Sequence, residues 1–211
     1  MSYNFEEQEQ LDELKAWWNK YGTFILTVIT VIAVTIAVWR VWQWYENKQA
    51  GEAATTYEVV REAARTGDMS RVRVASEELF NEYSSSVFAA MGGLTAAHAH
   101  FDKKDLDSAA SALKWVSENA SQAEYASVAR LRLAGVLLDQ GKHDEGLAVL
   151  DAGSGDDSFK GQYADRRGDL LASLGKNDEA IKAYEAALEA LPERSQLKGQ
   201  IELKMQALKN S

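Results

Sequence analysis

The sequence predicts an all-α protein: one transmembrane helix near the N-terminus, then an α-solenoid of about four helical hairpins closed by a capping helix. Three observations predict it. An uncharged, apolar run from Tyr21 to Trp39 is bracketed by aromatic residues on both sides. The remainder is rich in Ala, Leu, Glu and Lys, and the whole chain holds a single proline, a composition that favours helix. A turn-plus-helix pattern also recurs at intervals of 34 to 37 residues, the period of stacked helical repeats.

Residues 1–20 form a short acidic segment in which Leu11, Leu14, Trp18 and Tyr21 share one helical face. Residues 21–45 are the expected anchor. At 1.5 Å per residue the uncharged run reaches roughly 28 Å, the thickness of a bilayer's hydrocarbon. Trp17, Trp18 and Tyr21 precede it, and Trp39, Trp42, Trp44 and Tyr45 follow it. These seven are the candidate membrane-interface residues, because indole and phenol rings place an apolar body and a polar tip at the headgroup level. Lys20 and Arg40 close the span with stems able to snorkel toward phosphate. Thr27, Thr30 and Thr35 inside it are expected to bond back to the i−4 carbonyl. A cleaved signal peptide would start basic and carry a shorter apolar core; here Glu6, Glu7, Glu9, Asp12 and Glu13 outnumber Lys15 and Lys20. Charge does not orient the span, since Lys15 and Lys20 on one side balance Arg40 and Lys48 on the other.

Residues 46–211 are long enough for one domain with its own core. Of the 23 basic and 32 acidic residues, three and five lie before residue 46, which leaves this domain at a net charge of −7. That balance argues against nucleic acid and against adhesion to an anionic membrane surface. The absence of cysteine excludes disulfides and thiolate metal sites and leaves the compartment open.

The clearest repeat runs from Gly168 to Pro192. Gly168, Leu171, Gly175, Ala180, Tyr184, Ala187 and Pro192 fall in the spacing of a tetratricopeptide repeat, which this segment resembles. Small residues at 168, 180 and 187 are expected to let two antiparallel helices approach, with Tyr184 filling the groove between them. Gly175 supplies the turn, Asn177 or Asp178 the cap of the second helix, and Pro192 its end. Weaker copies turn at Gly141, Lys104 and Gly67. Loops are expected at 84–86, 119–122 and 153–158. In the last helix Leu197, Ile201, Met205 and Leu208 form one apolar face, as a solenoid cap requires.

No constellation for catalysis, metal or cofactor is legible. His98 and His100 are two residues apart on an expected helix and diverge, and His143 falls in an expected turn. Gly141-Lys142 and Gly175-Lys176 lack the upstream glycine and following Ser/Thr of a phosphate-binding loop. The triplet Asn119-Ala-Ser121 has the form of a glycosylation acceptor with no supporting context. What remains is partner binding. Repeat register assigns Met91, Leu94, His98 and Phe101 of one hairpin, and Val128, Leu131 and Leu138 of the next, to a concave surface suited to an apolar helix or extended peptide. The competing reading is that the same helix-period stripe packs inside the solenoid.

Taken whole, the layout resembles the YfgM-type ancillary subunits of the bacterial SecYEG translocon. The blocks Ala126-Ser-Val-Ala-Arg-Leu-Arg-Leu-Ala134, Leu147-Ala-Val-Leu-Asp151 and Ala164-Asp-Arg-Arg-Gly-Asp169 are similar to that family's, as is the aromatic exit of the span. The resemblance implies a non-enzymatic inner-membrane protein with a cytoplasmic N-terminus and a periplasmic repeat domain. Its implied partners are the SecYEG translocon, the periplasmic chaperone PpiD and, through one span, the bilayer. A membrane-anchored regulator that sequesters a signalling protein through its repeats is the alternative left by the balanced charges.

Overall fold

A computed structural model of the protein describes residues 3–153 and 157–210, without the side chains of residues 3–9, 42 and 44–47. The interface candidates Trp42, Trp44 and Tyr45 and part of the expected loop at 153–158 therefore lie outside what is described. The chain divides into two compact units, Met1–Lys48 and Gln49–Ser211.

The first unit is helical throughout its described length, the opening part of helix α1 (Tyr3–Thr66). Gln10–Val41 is long and apolar enough to cross a membrane, and none of its most apolar window is buried by protein. Val34 and Ile36 are more than half exposed, as are Phe24 and Trp39. A core helix of a water-soluble protein would bury those side chains, so bilayer hydrocarbon is the environment that fits them. Thr27, Thr30 and Thr35 donate their hydroxyls to the carbonyls of Thr23, Leu26 and Val31 at 2.7–2.8 Å, which satisfies them without water.

In the second unit the tail of α1 pairs with α2 (Met69–Glu82). Three further hairpins follow: α3 (Val87–Asp102) with α4 (Leu106–Asn119), α5 (Ala123–Asp139) with α6 (His143–Ala152), and α7 (Lys160–Ser173) with α8 (Asn177–Ala190). A short 3-10 turn, Asp157–Phe159, leads into α7, and α9 (Leu197–Lys209) caps the stack. Among the described residues there is no strand. Four hairpins and a cap are what the repeat spacing predicts.

The turns explain the spacing. Gly67, Lys104, Gly141 and Gly175 each adopt a left-handed backbone, with φ between +63° and +77°, and so reverse the chain within two or three residues. The last hairpin packs as its sequence predicts. A Cβ on Gly168 would lie 2.4 Å from the ring of Tyr184, so only glycine admits that ring at this approach; Ala180, Tyr184 and Ala187 are fully or nearly fully buried. One expected detail fails. The cap of α8 is Lys176, not Asn177 or Asp178, and no side chain bonds the helix N-terminus. Asn177 is already helical, and Asp178 and Glu179 act instead as first-turn carboxylates facing the positive end of the helix dipole.

Ile201 and Met205 of α9 bury against Leu171, Tyr184 and Leu191, with Leu197 and Leu208 at the margin. A polar network fastens the cap. Lys204 Nζ lies 2.7 Å from carboxylate oxygens of both Asp165 and Asp169, and the Tyr184 hydroxyl donates to Asp169 at 2.9 Å. Burial pushes the Tyr184 phenol well above its ordinary pKa, and the Asp169 charge adds to the shift, so the hydroxyl stays a donor.

Candidate partner-binding groove

The first helices of successive hairpins, α3, α5 and α7, pack side by side, because small residues on each admit close approach. Ala97 and Ala134 are almost fully buried, and Gly135 is the point where a Cβ would stand 3.5 Å from the Arg166 guanidinium carbon. Between these helices runs a groove of about 490 Å³. Its floor is apolar, made by Ala97, Phe101, Leu113 and Val136; its rim is polar, with His98 beside the charged Arg132, Asp139 and Arg166.

Of the seven residues that repeat register assigned to a binding surface, His98 and Phe101 line this groove. His98 is exposed and lies 3.6 Å from Asp102. Leu94 and Phe101 are half-buried and pack on the core cluster of α3, α4 and α5, while Leu131 and Leu138 do the same on the cluster formed with α7. Met91 and Val128 are half-buried and stand outside the groove lining. The stripe is thus shared between the groove and the inter-hairpin seams. Arg132, Gly135, Asp139 and Arg166 escaped sequence reasoning, which followed an apolar stripe and took in His98 alone among polar residues. The legible signal was register: Arg132 and Arg166 each stand nine residues before their hairpin turn.

On the opposite, second-helix side a wider groove of about 610 Å³ runs between α4, α5 and α6. Some of its polar groups are engaged within the fold: Arg130 donates to the Ser117 carbonyl at 2.9 Å, and Gln140 Nε2 donates to Asp107 at 2.9 Å. The remaining histidines serve structure. His100 is buried with Nδ1 3.0 Å from Asp105, and His143, the first residue of α6, places Nε2 2.8 Å from the Ser173 hydroxyl. Among the described residues no three His, Asp or Glu side chains converge as a metal site would require.

Hairpins that stack through their first helices, left-handed turns at near-constant spacing and a capping helix define a tetratricopeptide-like repeat protein, here joined to one apolar helix of membrane-spanning length. Residues 15–210 match the tetratricopeptide repeat-like domain family. Solved structures share the architecture: MamA 41-end from Desulfovibrio magneticus RS-1 superposes with a TM-score of 0.51 at 16% identity, covering 75% of this chain and 88% of that one. The MamA AMB-1 structure gives 0.50 at 19% identity, over 75% of this chain and 81% of its own. Such identities establish the fold alone.

Full-length relatives carry the identification further. The ancillary SecYEG translocon subunit of Neisseria gonorrhoeae is 32% identical over 210 residues, 99% of this chain and 100% of that protein. Its counterpart of the same name in Escherichia coli K12 is 26% identical over 197 residues, 91% and 94% of the two chains. The chain belongs to the family of ancillary SecYEG translocon subunits.

Proposed function

We propose that this protein is a non-catalytic adaptor, held beside the SecYEG translocon by its N-terminal helix, whose repeat domain engages partners in the periplasm. The observation that carries the reading is the union, in one chain, of an unburied apolar span with a repeat domain whose first-helix groove stands open. The family's name supplies the translocon as the object of attachment. Residues 1–20 would face the cytoplasm, residues 21–45 the bilayer, and residues 46–211 the periplasm. Linking the channel exit to periplasmic chaperones, with the membrane-bound chaperone PpiD as the named candidate, follows from that placement. Confinement of both partners to one membrane raises their effective concentration, so weak contacts in the groove suffice for frequent hand-over of exported chains. The groove suits this work: an apolar floor accepts side chains of many kinds, and the charged rim keeps it soluble between engagements.

Photocrosslinkers at Phe101 and Leu131 in living cells, with mass spectrometry of the adducts, test the reading. Adducts to translocon subunits, a periplasmic chaperone or exported chains support it. Adducts confined to cytoplasmic proteins would invert the topology and favour a sequestering regulator instead.

A further inference from the structure

Arg132 and Arg166 occupy equivalent places on neighbouring first helices, each nine residues before its turn and both on the rim of the groove. Their surroundings differ. Arg166 is neutralised from its own helix, since its Nη1 donates to Asp169 three residues on, at 3.2 Å. Three residues after Arg132 stands Gly135, which has no side chain. Asp139 shares that face of α5, seven residues on and roughly 10 Å along a helix rising 1.5 Å per residue, and makes no ion pair with Arg132. Among the described residues Arg132 has no ion pair or hydrogen-bonding partner. The counterion that the repeat builds in at Arg166 is therefore missing at Arg132: where it would stand, Gly135 carries no side chain and the Arg166 guanidinium lies over the glycine, so a carboxylate beside Arg132 has to come from outside.

We infer that Arg132 reads an acidic side chain of the bound partner: the groove takes a peptide segment carrying Asp or Glu beside an apolar residue, the carboxylate on Arg132 and the apolar side chain on Phe101 and Val136. A guanidinium fork matches a carboxylate in two parallel hydrogen bonds, which fixes the segment's register as well as its affinity. A chain-terminal carboxylate fits less well, because such ends are captured by nests of free backbone N–H groups, and helix faces present none. Polyanions are disfavoured by the domain's net negative charge, which a single carboxylate flanked by apolar groups largely escapes.

This inference rests on the groove being the partner-binding face. The test uses full-length protein in its membrane, with a photocrosslinker at Phe101 and Arg132 replaced by Ala, Lys or Glu; circular dichroism confirms the fold of each variant. Unsubstituted protein is expected to crosslink segments with Asp or Glu within a few residues of the adduct. R132A should lower adduct yield about five-fold or more, a charge-assisted bond being worth about ten-fold or more in affinity. R132E should lower it further, and R132K should retain an intermediate yield. An R132E yield equal to that of the unsubstituted protein overturns the carboxylate while leaving the groove as a binding face. No adduct at Phe101 in the unsubstituted protein overturns the groove itself, and the role of Arg132 with it.

Discussion

Counted from their left-handed turn residues, the hairpins α3–α4 and α7–α8 bury the same positions with different residues. Seven before and nine after the turn, α7–α8 places Gly168 and Tyr184, whereas α3–α4 places Ala97 and Leu113. The other two hairpins continue the exchange, with Ala134 and Leu150 in α5–α6 and Val60 and Ser76 in the first. As the first-helix residue grows, the second-helix residue shrinks. A close-packed interior constrains the volume shared across a helix pair more tightly than the identity of either member. A repeat can therefore keep its geometry while its signature dissolves.

The largest effect should come from mixing the two solutions. Gly168→Ala alone pushes a methyl group into the Tyr184 ring and should cost about 1–3 kcal/mol. Tyr184→Leu alone leaves a void and strips Asp169 of a donor, for about 2 kcal/mol. Made together they reproduce the Ala–Leu combination of α3–α4, and the pair should cost at least about 1 kcal/mol less than the sum. Urea denaturation of the full-length variants in detergent micelles measures this coupling. Additive costs would mean that the exchange of volumes is accidental.

The same comparison shows what was legible in the chain. The last hairpin announces itself because Gly168, Gly175, Tyr184 and Pro192 are distinctive residue types. In α3–α4 the turn residue is lysine, and the position four before the turn, Leu171 in the last hairpin, is His100. Only the spacing survives there, and spacing was enough to count hairpins. Little of the groove was legible: repeat register reached Phe101 of the floor and His98 of the rim, but not Ala97, Leu113 or Val136, and the rest of the rim depends on which arginines are neutralised by their own helix. Charge pairing of that kind is a property of side-chain placement, invisible to a hydrophobic pattern. An apolar helix of membrane-spanning length was legible, because length and hydropathy are read directly from sequence; the aromatics Trp42, Trp44 and Tyr45 at its exit lie outside the described side chains.

The two turns also differ in their capping, with an effect of intermediate size. Asp105 accepts from the Ser108 backbone N–H at 3.2 Å and from the buried His100 ring, whereas Lys176, its counterpart in α7–α8, caps nothing with its side chain. Asp105→Ala should cost about 1 kcal/mol near neutral pH, and Lys176→Ala should stay within about 0.5. Hydrogen bonds from Ser108, with His100 assisting, hold the Asp105 carboxyl below its ordinary pKa despite partial desolvation. A carboxylate with a depressed folded-state pKa contributes fully above the unfolded value of about 3.9 and loses that contribution as pH falls through the folded value. The gap between Asp105→Ala and the parent should therefore be constant from pH 7 to about 5 and close below about pH 4. A gap that stays unchanged down to the lowest pH at which both variants remain folded would assign the cost to lost packing rather than to the cap.

The smallest effect is the most direct probe of the turn itself. Lys104 holds φ at +63°, where glycine stands in the other three hairpins at +72° to +77°. A side chain in that region costs about 1–2 kcal/mol, part of which glycine returns through the greater freedom of its unfolded chain. Lys104 Nζ also lies 5.6 Å from the centre of the Phe101 ring, a contact worth about 0.5 kcal/mol when exposed. Lys104→Gly should therefore raise stability by only about 0.5 kcal/mol, while Gly175→Lys, which has no ring to rest on, should lower it by about 1. The asymmetry is informative. An equal and opposite pair of shifts would show that the turn alone sets the energy, with Lys104 contributing nothing to Phe101. A loss of stability in Lys104→Gly would show that the lysine is retained for that ring, which is also the floor of the groove, and that the irregular turn belongs to the binding face rather than to the repeat.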